Sequence, residues 1–462
     1  MNLHLREDSF NVSDYGCVSQ AYTKAHLEVI YNMTLTKAPV RGMKDILPDE
    51  MAVRDYVIGL IKDTYKAFGF VSIDTPCMEH IGNLTSRQGG ENESLIFKIM
   101  KRGEKLSLDG ITSPDDLVDN GLRYDLTVPL CRFYANNLDK LPNPFKAMQI
   151  GSVWRADRPQ KGRFRQFTQC DIDVLGDASM LVEIELITAT TTLLGKLGFR
   201  DFTVRLNHRQ LLKAMAEHSG FPPESGEKVF IILDKMDKIG LDGVRSELLA
   251  AGLSEASVET YLAFFKPQEG KGLLDVCADK LSSVATAQDQ EDAAGTVAAI
   301  EEIRTIMTCV DAVKDDATQG GFHLEFDPAL VRGMGYYTGP IFEIALKEFD
   351  SSVGGGGRYD RLVGNFTNVS APACGFSIGF ERIISVLMDQ GYQPPSGGRK
   401  IALLAEKGLE GERLCAMLRE AGEERRAGAT VLIAVKSKNS KFQREQLEKD
   451  GYTEVRSFSN KS

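Results

Sequence analysis

The sequence lacks the marks of several protein classes. No apolar run approaches the ~18 residues that a membrane-spanning helix needs. The start of the chain, Met1 to Asp14, is polar and acidic, unlike a signal peptide. The eight cysteines are scattered, with no C-x-x-C pair and no His/Cys cluster at zinc spacing. We therefore expect no membrane partner, no protein-held metal, and free thiols in a reducing cytoplasm.

The chain carries more negative than positive charge. The formal net charge is −10, which argues against a general nucleic-acid coat protein. The segment from Arg399 to Ser462 differs, because it holds 14 Lys/Arg against 10 Asp/Glu. A weakly basic tail on an acidic body is compatible with local contact to nucleic acid, although chance would also produce it.

The length of 462 residues predicts two or three domains. Residues 1–40 show no sustained pattern and are predicted to be a poorly ordered N-terminal extension. Met33 begins a stretch that reads like a natural start, so residues 1–32 are either an upstream extension or the product of a mis-assigned start site.

The body, residues 41–393, begins with an amphipathic helix at Pro48–Phe68, a glycine, and a strand at Phe70–Pro76. This element presents an apolar surface with no obvious partner in the chain, which favours docking and predicts a homodimer. Helices rich in Ala, Leu, Glu and Lys then form an inserted module at about 205–318. Between the two lie four predicted strands and a helix: Ser94–Met100, Gly121–Asp125, Lys146–Ala156, Arg165–Val174 and Ser179–Leu197.

Strands resume at Gly321 and end in a helix at Gly379–Gln390, after which prolines and glycines mark a linker. The tail, residues 399–462, alternates strands with helices, which predicts a small α/β domain. Its elements are predicted at Ile401–Ala405, Glu410–Ala427, Thr430–Val435, Lys441–Lys449 and Thr453–Phe458. The whole chain is therefore of the α+β class.

Chemistry is concentrated first at Val331–Glu343, V-R-G-M-G-Y-Y-T-G-P-I-F-E. An arginine, two tyrosines and three glycines interrupt what looks like a buried strand, and glycines allow a ligand close to the backbone. A glycine-dense turn predicted at Gly354–Gly357 leads to Arg358. Two arginines beside such backbone favour an anionic, planar ligand, with phosphate first.

The densest block runs from Trp154 to Val174 and reads as strand, basic turn, strand. Strand residues two apart share a face, so Gln169, Asp171 and Asp173 are predicted to line one side of a sheet. Charges on a central sheet face are costly unless they bind something.

This block resembles motif 2 of the class II aminoacyl-tRNA synthetases, in the form found in histidyl-tRNA synthetases. Arg123–Thr127 resembles the amino-acid-binding turn of the family, and Val331–Glu343 its arginine-bearing segment. Gly375–Arg382 resembles motif 3, and Gly42–Pro76 resembles motif 1, the dimer element. The resemblance implies a class II catalytic domain, a mostly antiparallel sheet flanked by helices, with a helical insertion and a short, anticodon-binding-like tail.

The resemblance also implies the reaction. The carboxylate of L-histidine attacks the α-phosphate of ATP, giving histidyl-adenylate and diphosphate, and the acyl group then moves to tRNA(His). Arg155 and Arg332 would be catalytic by stabilising charge on that phosphate, and Mg²⁺ would bridge phosphates. The residues implied for ATP binding are Arg155, Asp157, Phe167, Arg332 and Arg382. Those implied for histidine binding are Asp125, Leu126, Thr127, Gln169, Asp173, Tyr336 and Tyr337.

Three features depart from the family pattern. Gly335 stands where many relatives carry Asp, Asp125 is shorter than the Glu of many bacterial forms, and the tail is short. A second function stays open beside the ligase: a non-catalytic paralogue acting as a regulatory subunit or tRNA sensor. Such copies are expected to lose the phosphate-binding arginines, which this chain keeps. A structural RNA-binding protein is opposed by the acidic body.

Overall fold

The computed structural model describes residues 36–85, 92–159, 162–282, 290–315, 321–332, 335–346, 352–367, 370–395 and 398–460. The extension predicted at residues 1–40 therefore lies almost wholly outside the described residues. The chain divides into two compact units, one ending at Leu387 and one beginning at Met388. In the described ranges, every helix is too short or too polar to cross a bilayer.

The first unit is built on an eight-stranded sheet. Its strands are β1 (Val71–Ser72), β5 (Phe145–Trp154), β6 (Gln166–Leu175), β7 (Thr203–His208), β8 (His323–Phe326), β9 (Pro340–Ala345), β10 (Ser352–Arg358) and β11 (Ala373–Ile378). The spatial order is β1-β5-β6-β11-β10-β9-β7-β8. The outer pairs β1–β5 and β7–β8 are parallel, and the other pairs are antiparallel. A small sheet orders β2 (Met78–His80), β4 (Val118–Leu122) and β3 (Lys98–Met100) as β2-β4-β3.

Helices cover this sheet. They are α1 (Pro48–Ala67), α2 (Ile81–Thr85), α3 (Thr127–Asn137), α4 (Leu181–Lys196) and α11 (Phe380–Asp389). The first helix buries Val53, Val57 and Ile61 and contacts α4 of the same chain. The expectation that this helix lacks a partner within the chain is therefore wrong for its main apolar stripe.

The helical insertion consists of α5 (Arg209–His218), α6 (Gly226–Leu233), α7 (Met236–Ala250), α8 (Glu255–Leu262), α9 (Leu273–Ser282) and α10 (Gln290–Val313). Its predicted start at residue 205 is too early, because Arg205 to His208 complete β7 of the main sheet. The last helix contacts both α4 and α5, so the insertion packs on the body of its unit.

The second unit is a three-stranded parallel sheet with two helices. Its elements are β12 (Lys400–Ala405), α12 (Gly411–Arg426), β13 (Thr430–Val435), α13 (Ser440–Lys449) and β14 (Glu454–Phe458), in the sheet order β13-β12-β14. Ile401 and Leu403 belong to a core cluster with α12 residues, whereas Ala402 and Leu404 pack with Leu447 of α13. Each element lies within one residue of its predicted bounds.

Two glycine-rich segments differ from their predicted structure. The strand expected from Val331 begins only at Pro340, and the turn expected at Gly354–Gly357 is part of β10, in the interior of the sheet. A Cβ atom on Gly356 would stand 1.9 Å from the carbonyl oxygen of Gly375 in β11. The glycines therefore allow neighbouring strands to approach closely. A prediction of a turn from the glycine content alone misses this role.

Candidate functional site

A pocket of about 340 Å³ opens on one face of the large sheet. Its floor comes from β6, β10 and β11, and its walls come from the loop before α3, the turn after β5 and the start of α11. Gln169, Asp171 and Asp173 of β6 all line it, so these alternate residues share one face as predicted. Gly354 to Gly356 have no side chains, so the backbone of β10 itself forms this part of the pocket floor.

One end of the pocket is acidic and holds unpaired acceptors. Asp125, Asp171 and Asp173 are each at most 3% exposed, and one oxygen of each, together with Oε1 of Gln169, has no hydrogen-bond partner. Burial raises the pKa of Asp125 to about 6 and that of Asp173 to about 7. Burial, followed by the charge of Asp173, raises the pKa of Asp171. Buried acceptors without donors suit a cationic or N–H-bearing ligand.

The loop before α3 sets the position of Asp125. The backbone N–H of Val128 donates to Oδ1 of Asp125 at 3.1 Å. Thr127, the first residue of α3, lines the pocket, whereas Leu126 does not. The side chain of Leu126 is 1% exposed, and its carbonyl accepts from Nε2 of Gln149 at 3.1 Å. Leu126 therefore supports the turn that carries Asp125 and Thr127, and does not itself face the pocket.

Tyrosines close the acidic end. The rings of Tyr336 and Tyr337 meet edge-on with centroids 4.9 Å apart, and Tyr336 lies 5.9 Å from Tyr359. The hydroxyl of Tyr359 donates to Oδ1 of Asp173 at 2.5 Å, and this bond opposes the rise in the pKa of Asp173. A Cβ atom on Gly335 would meet nothing within 4 Å, so no steric demand explains the glycine there.

The other end of the pocket is cationic. Arg155 donates from Nε to the carbonyl of Tyr124 at 2.8 Å, and its guanidinium lies 5.3 Å from the centroid of the Phe167 ring. Arg332 donates from Nη1 to Oε2 of Glu343 at 2.6 Å. Arg382 donates to the carbonyl of Ser352.

Burial, then the nearby charges of Arg163 and Arg332, lower the pKa of Arg382. Positive charges this close together are unfavourable unless an anion lies between them, so these arginines suit a phosphate ligand.

Asp157 also lines the pocket, at the start of the basic turn. Its carboxylate pairs with Arg163 at 3.1 Å, and its carbonyl accepts from Nε of Arg165 at 3.1 Å. Asp157 therefore ties the basic turn together through its pair with Arg163.

Arg358 does not belong to the site, contrary to expectation. It is 5% exposed and donates from Nε and Nη2 to both carboxylate oxygens of Glu183 in α4, at 2.7 and 2.8 Å. The arginine that follows the glycines is thus a buried structural group. Arg358 ends β10, and its side chain faces α4 rather than the pocket. The predicted turn gave no information about this direction.

The sequence reasoning missed three supporting residues. Glu343 contacts Arg332, Tyr359 contacts Asp173, and Glu381 accepts from the backbone N–H of Thr168 at 3.0 Å. Two of them lie inside segments singled out for other residues: Glu343 ends the segment that holds Arg332, and Glu381 precedes Arg382. Their contacts with these partners become visible only in the folded structure, because a linear motif does not show which side chains meet.

The described residues contain no group of three or more His, Cys, Asp or Glu side chains suited to hold a metal ion. The chain thus offers no ready-made cage for a cation within its described ranges. A magnesium ion arriving with a nucleotide would be held chiefly by phosphate oxygens, as is usual for Mg²⁺.

Comparison with known proteins identifies the family. A family profile described as histidyl-tRNA synthetase matches residues 42–383. The histidine–tRNA ligase of Leifsonia xyli subsp. xyli is 43% identical over 411 residues, covering 87% of this chain and 91% of the relative. The histidine–tRNA ligase of Gloeobacter violaceus is 38% identical over 368 residues, covering 76% and 74%.

Solved structures agree. A histidyl-tRNA synthetase from Nostoc sp. PCC 7120 superposes with a TM-score of 0.71 at 26% identity, covering 90% of each chain. A protein from Bacillus halodurans, described as an ATP phosphoribosyltransferase regulatory subunit/histidyl-tRNA synthetase, has a TM-score of 0.71 at 18% identity, covering 92% of this chain and 99% of that one. This second likeness concerns the fold alone. The predicted class II, α+β fold is confirmed, and the chain belongs to the histidyl-tRNA synthetase family.

Proposed function

We propose that the described pocket carries out the ATP-dependent ligation of L-histidine to tRNA(His), through histidyl-adenylate, with release of AMP and diphosphate. Family membership makes the chain a histidine–tRNA ligase. The observation that carries the residue assignment is the polarity of the pocket. Buried carboxylates with unpaired oxygens and three arginines line the same pocket, as a zwitterion joined to a phosphate requires.

The acidic end binds histidine. Asp125, Thr127 and Gln169 accept hydrogen bonds from the α-ammonium group. The backbone of Leu126 connects Asp125 to Thr127 in the turn before α3. Asp173 and the hydroxyl of Tyr337 bind the ring nitrogens, and Tyr336 covers the substrate. Support comes from the free oxygens of Asp125, Gln169 and Asp173, which are buried and lie on the pocket wall.

Such a site rejects smaller amino acids, because they lack the ring N–H that pairs with the buried oxygen of Asp173.

The cationic end activates ATP. A carboxylate oxygen of histidine attacks the α-phosphorus, the new P–O bond forms, and the bond to diphosphate breaks. Negative charge on the phosphate oxygens rises in the transition state, and Arg155 and Arg332 stabilise it. Arg382 binds the nucleotide from the opposite wall. Phe167 offers a face for adenine, with Arg155 already above its ring, and Asp157 orients the basic turn beside the nucleotide.

Mg²⁺ enters with ATP in this proposal and neutralises phosphate charge. The described side chains supply no multi-carboxylate cage, so phosphate and water oxygens are its main ligands. We expect activity to be lost on chelation and restored by added Mg²⁺, with no change in the melting temperature of the nucleotide-free protein. A fall in that melting temperature on chelation would point to a protein-held ion instead.

The tail unit binds the anticodon arm of tRNA in this proposal. Phe442 is 56% exposed and lies on α13 among the exposed cations Lys438, Lys441 and Arg444. An exposed aromatic ring among cations suits base stacking beside phosphates. Replacing Phe442 by Ala should raise the KM for tRNA and leave pyrophosphate exchange unchanged. An unchanged KM for tRNA would contradict the assignment.

A homodimer is proposed on the residues that the fold leaves uncovered. Leu47 and Met51 of the α1 region are 70% and 40% exposed, and Val71 of β1 is 50% exposed. Replacing Met51 by Glu should shift the sedimentation coefficient to that of a monomer. A sedimentation coefficient of a monomer for the unchanged protein would contradict the proposal.

Free thiols in the described range fit the expected cytoplasmic location, which cell fractionation tests.

The non-catalytic paralogue gains no support from a specific observation. Arg155, Arg332 and Arg382 all line the pocket, and the likeness to the Bacillus halodurans protein is one of fold. Histidine-dependent exchange of pyrophosphate into ATP separates the two functions, because a regulatory copy does not form the adenylate.

A further inference from the structure

Glu343 occupies a particular place on the sheet. It lies on β9, directly opposite Gly355 of β10 on one side and Arg205 of β7 on the other. Arg205 is engaged elsewhere, since it pairs with Asp237 at 3.0 Å and with Glu325 at 3.2 Å. The carboxylate of Glu343 is instead directed to Arg332, whose Nη1 donates to Oε2 at 2.6 Å.

Gly355 supplies a second restraint on the same arginine. A Cβ atom on Gly355 would stand 2.6 Å from both Cζ and Nη1 of Arg332. The guanidinium therefore lies against the bare backbone of β10, in space that any side chain would fill. Glycine here serves the arginine rather than the turn that the sequence suggests.

The guanidinium of Arg332 is thus held from two directions. The backbone of β10 fixes its height above the sheet, and Glu343 fixes its rotation by engaging one end of the fork. A guanidinium has five N–H donors, so the remaining donors stay available to a phosphate. Arg332 itself lies outside any strand, because β9 begins only at Pro340. These two contacts are therefore what hold its side chain.

The surrounding charges agree with this arrangement. Arg382 and Arg332 repel each other, and Glu343 offsets both charges. Asp234, at the end of α6, feels the charges of Glu343 and Arg332. Tyr336 and Tyr337 also face the guanidinium. Among these groups, Glu343 has the hydrogen bond to Arg332 and stands outside the pocket lining.

We propose that Glu343 is a positioning residue for adenylate formation, which holds Arg332 against Gly355 so that its free N–H groups meet the α-phosphate. The proposal rests on the proposed function of Arg332. Glu343 binds neither histidine nor ATP in this account. Its effect on the rate passes wholly through the arginine, and this separates it from a residue that merely stabilises the sheet.

The test compares Glu343→Gln, Arg332→Ala and the double variant in histidine-dependent pyrophosphate exchange. Glu343→Gln keeps the shape of the side chain and removes its charge. We expect kcat to fall about 10–100-fold, the cost of misplacing one catalytic group, with no rise in the KM for ATP or histidine. In the Arg332→Ala background, the second change should cost nothing further, because residues that act as a unit are not additive.

Glu325→Gln is the matched control, since Glu325 is a carboxylate on β8, on the far side of β7 from β9, that pairs with Arg205. It should leave kcat unchanged. Full kcat in Glu343→Gln, or an equal loss with and without Arg332, would overturn the proposal. If Glu343→Gln unfolds, Glu343→Asp takes its place, with the same predicted loss of kcat and the same non-additivity. Near-normal exchange in Arg332→Ala would instead overturn the assigned role of the arginine.

Discussion

Arg54 of α1 and Glu381 of α11 form a buried, two-pronged ion pair. Nη1 and Nη2 of Arg54 donate to the two carboxylate oxygens of Glu381 at 2.7 and 2.8 Å, and both side chains are 8% exposed. Glu381 also accepts the N–H of Thr168 in β6. One carboxylate thus joins the first helix, a pocket strand and the helix that carries Arg382.

Removing Glu381 should therefore destabilise the first unit. In Glu381→Ala the buried guanidinium of Arg54 loses both short bonds to Glu381 and keeps only the longer contacts with Glu50 and Thr168, and breaking such a buried pair costs about 3–5 kcal/mol. The free energy of unfolding, measured by denaturant titration, should fall by that amount. Arg54→Met combined with Glu381→Leu should cost less, because no buried charge is then left unpaired.

Asp115→Ala provides the control for that series. Asp115 pairs with Lys98 at the surface, where its side chain is 66% exposed, and surface changes usually stay within about 0.5 kcal/mol. A loss for Glu381→Ala no larger than for Asp115→Ala would mean that the buried pair does not hold the elements together.

Arg332→Ala should cut the rate of adenylate formation by about 10²–10³-fold, the scale of losing one donor to a developing oxyanion. The KM for ATP should change much less, because Arg155 and Arg382, which we propose to bind the nucleotide, remain in place. Pyrophosphate exchange measures both constants. Arg304→Ala, which removes an arginine from the insertion helix α10, should leave them unchanged, and a near-normal rate in Arg332→Ala would contradict the assigned role.

Asp173 should make the ligand-free protein less stable as pH rises. Its folded-state pKa of about 7 lies above the usual value of 3.8, so the folded state binds the proton more tightly. The resulting stabilisation is full at low pH and is lost as pH rises toward 7. Asp173→Asn should thus gain stability relative to the unchanged protein between pH 5 and pH 8, by on the order of 2–3 kcal/mol.

Denaturant titration at the two pH values measures that gain. Asp109→Asn, at an exposed carboxylate, is the control and should show no such gain. An equal stability difference for Asp173→Asn at both pH values would mean that Asp173 does not hold a raised pKa.

Tyr359→Phe should weaken histidine binding in a pH-dependent way. The lost hydroxyl donates to Asp173 at 2.5 Å and favours the ionised carboxylate, so its removal raises the pKa of Asp173 further. We expect the KM for histidine to rise about tenfold at pH 7, the scale of a hydrogen bond to a charged group. The rise should shrink at pH 8.5. A constant ratio across this range would contradict the coupling.

The sequence predicts those parts of the fold that local pattern determines. In the tail, alternating apolar strands and amphipathic helices are bounded by turns, so β13 lies at its predicted Thr430–Val435. The face shared by Gln169, Asp171 and Asp173 follows from the two-residue period of a strand, and all three residues line the pocket.

The errors share one physical cause, which is that contacts distant in sequence decide what glycine does. At Gly354–Gly357 the composition indicates a turn, but the neighbouring strand β11 and Arg332 require bare backbone there. Arg358 was assigned to an anion for the same reason, although Glu183, far away along the chain, is its partner. Tyr359 likewise acts on Asp173 of a distant strand, whereas Glu343 lies in the same segment as Arg332 and only the folded backbone shows that the two side chains pair.

The most direct test of the account is histidine-dependent exchange of labelled pyrophosphate into ATP, without tRNA, compared across the other amino acids. We predict exchange with histidine alone, because the buried oxygen of Asp173 pairs with a ring nitrogen of histidine and stays unpaired with side chains that lack such a donor. Absence of exchange from the folded protein, or equal exchange with several amino acids, would contradict it.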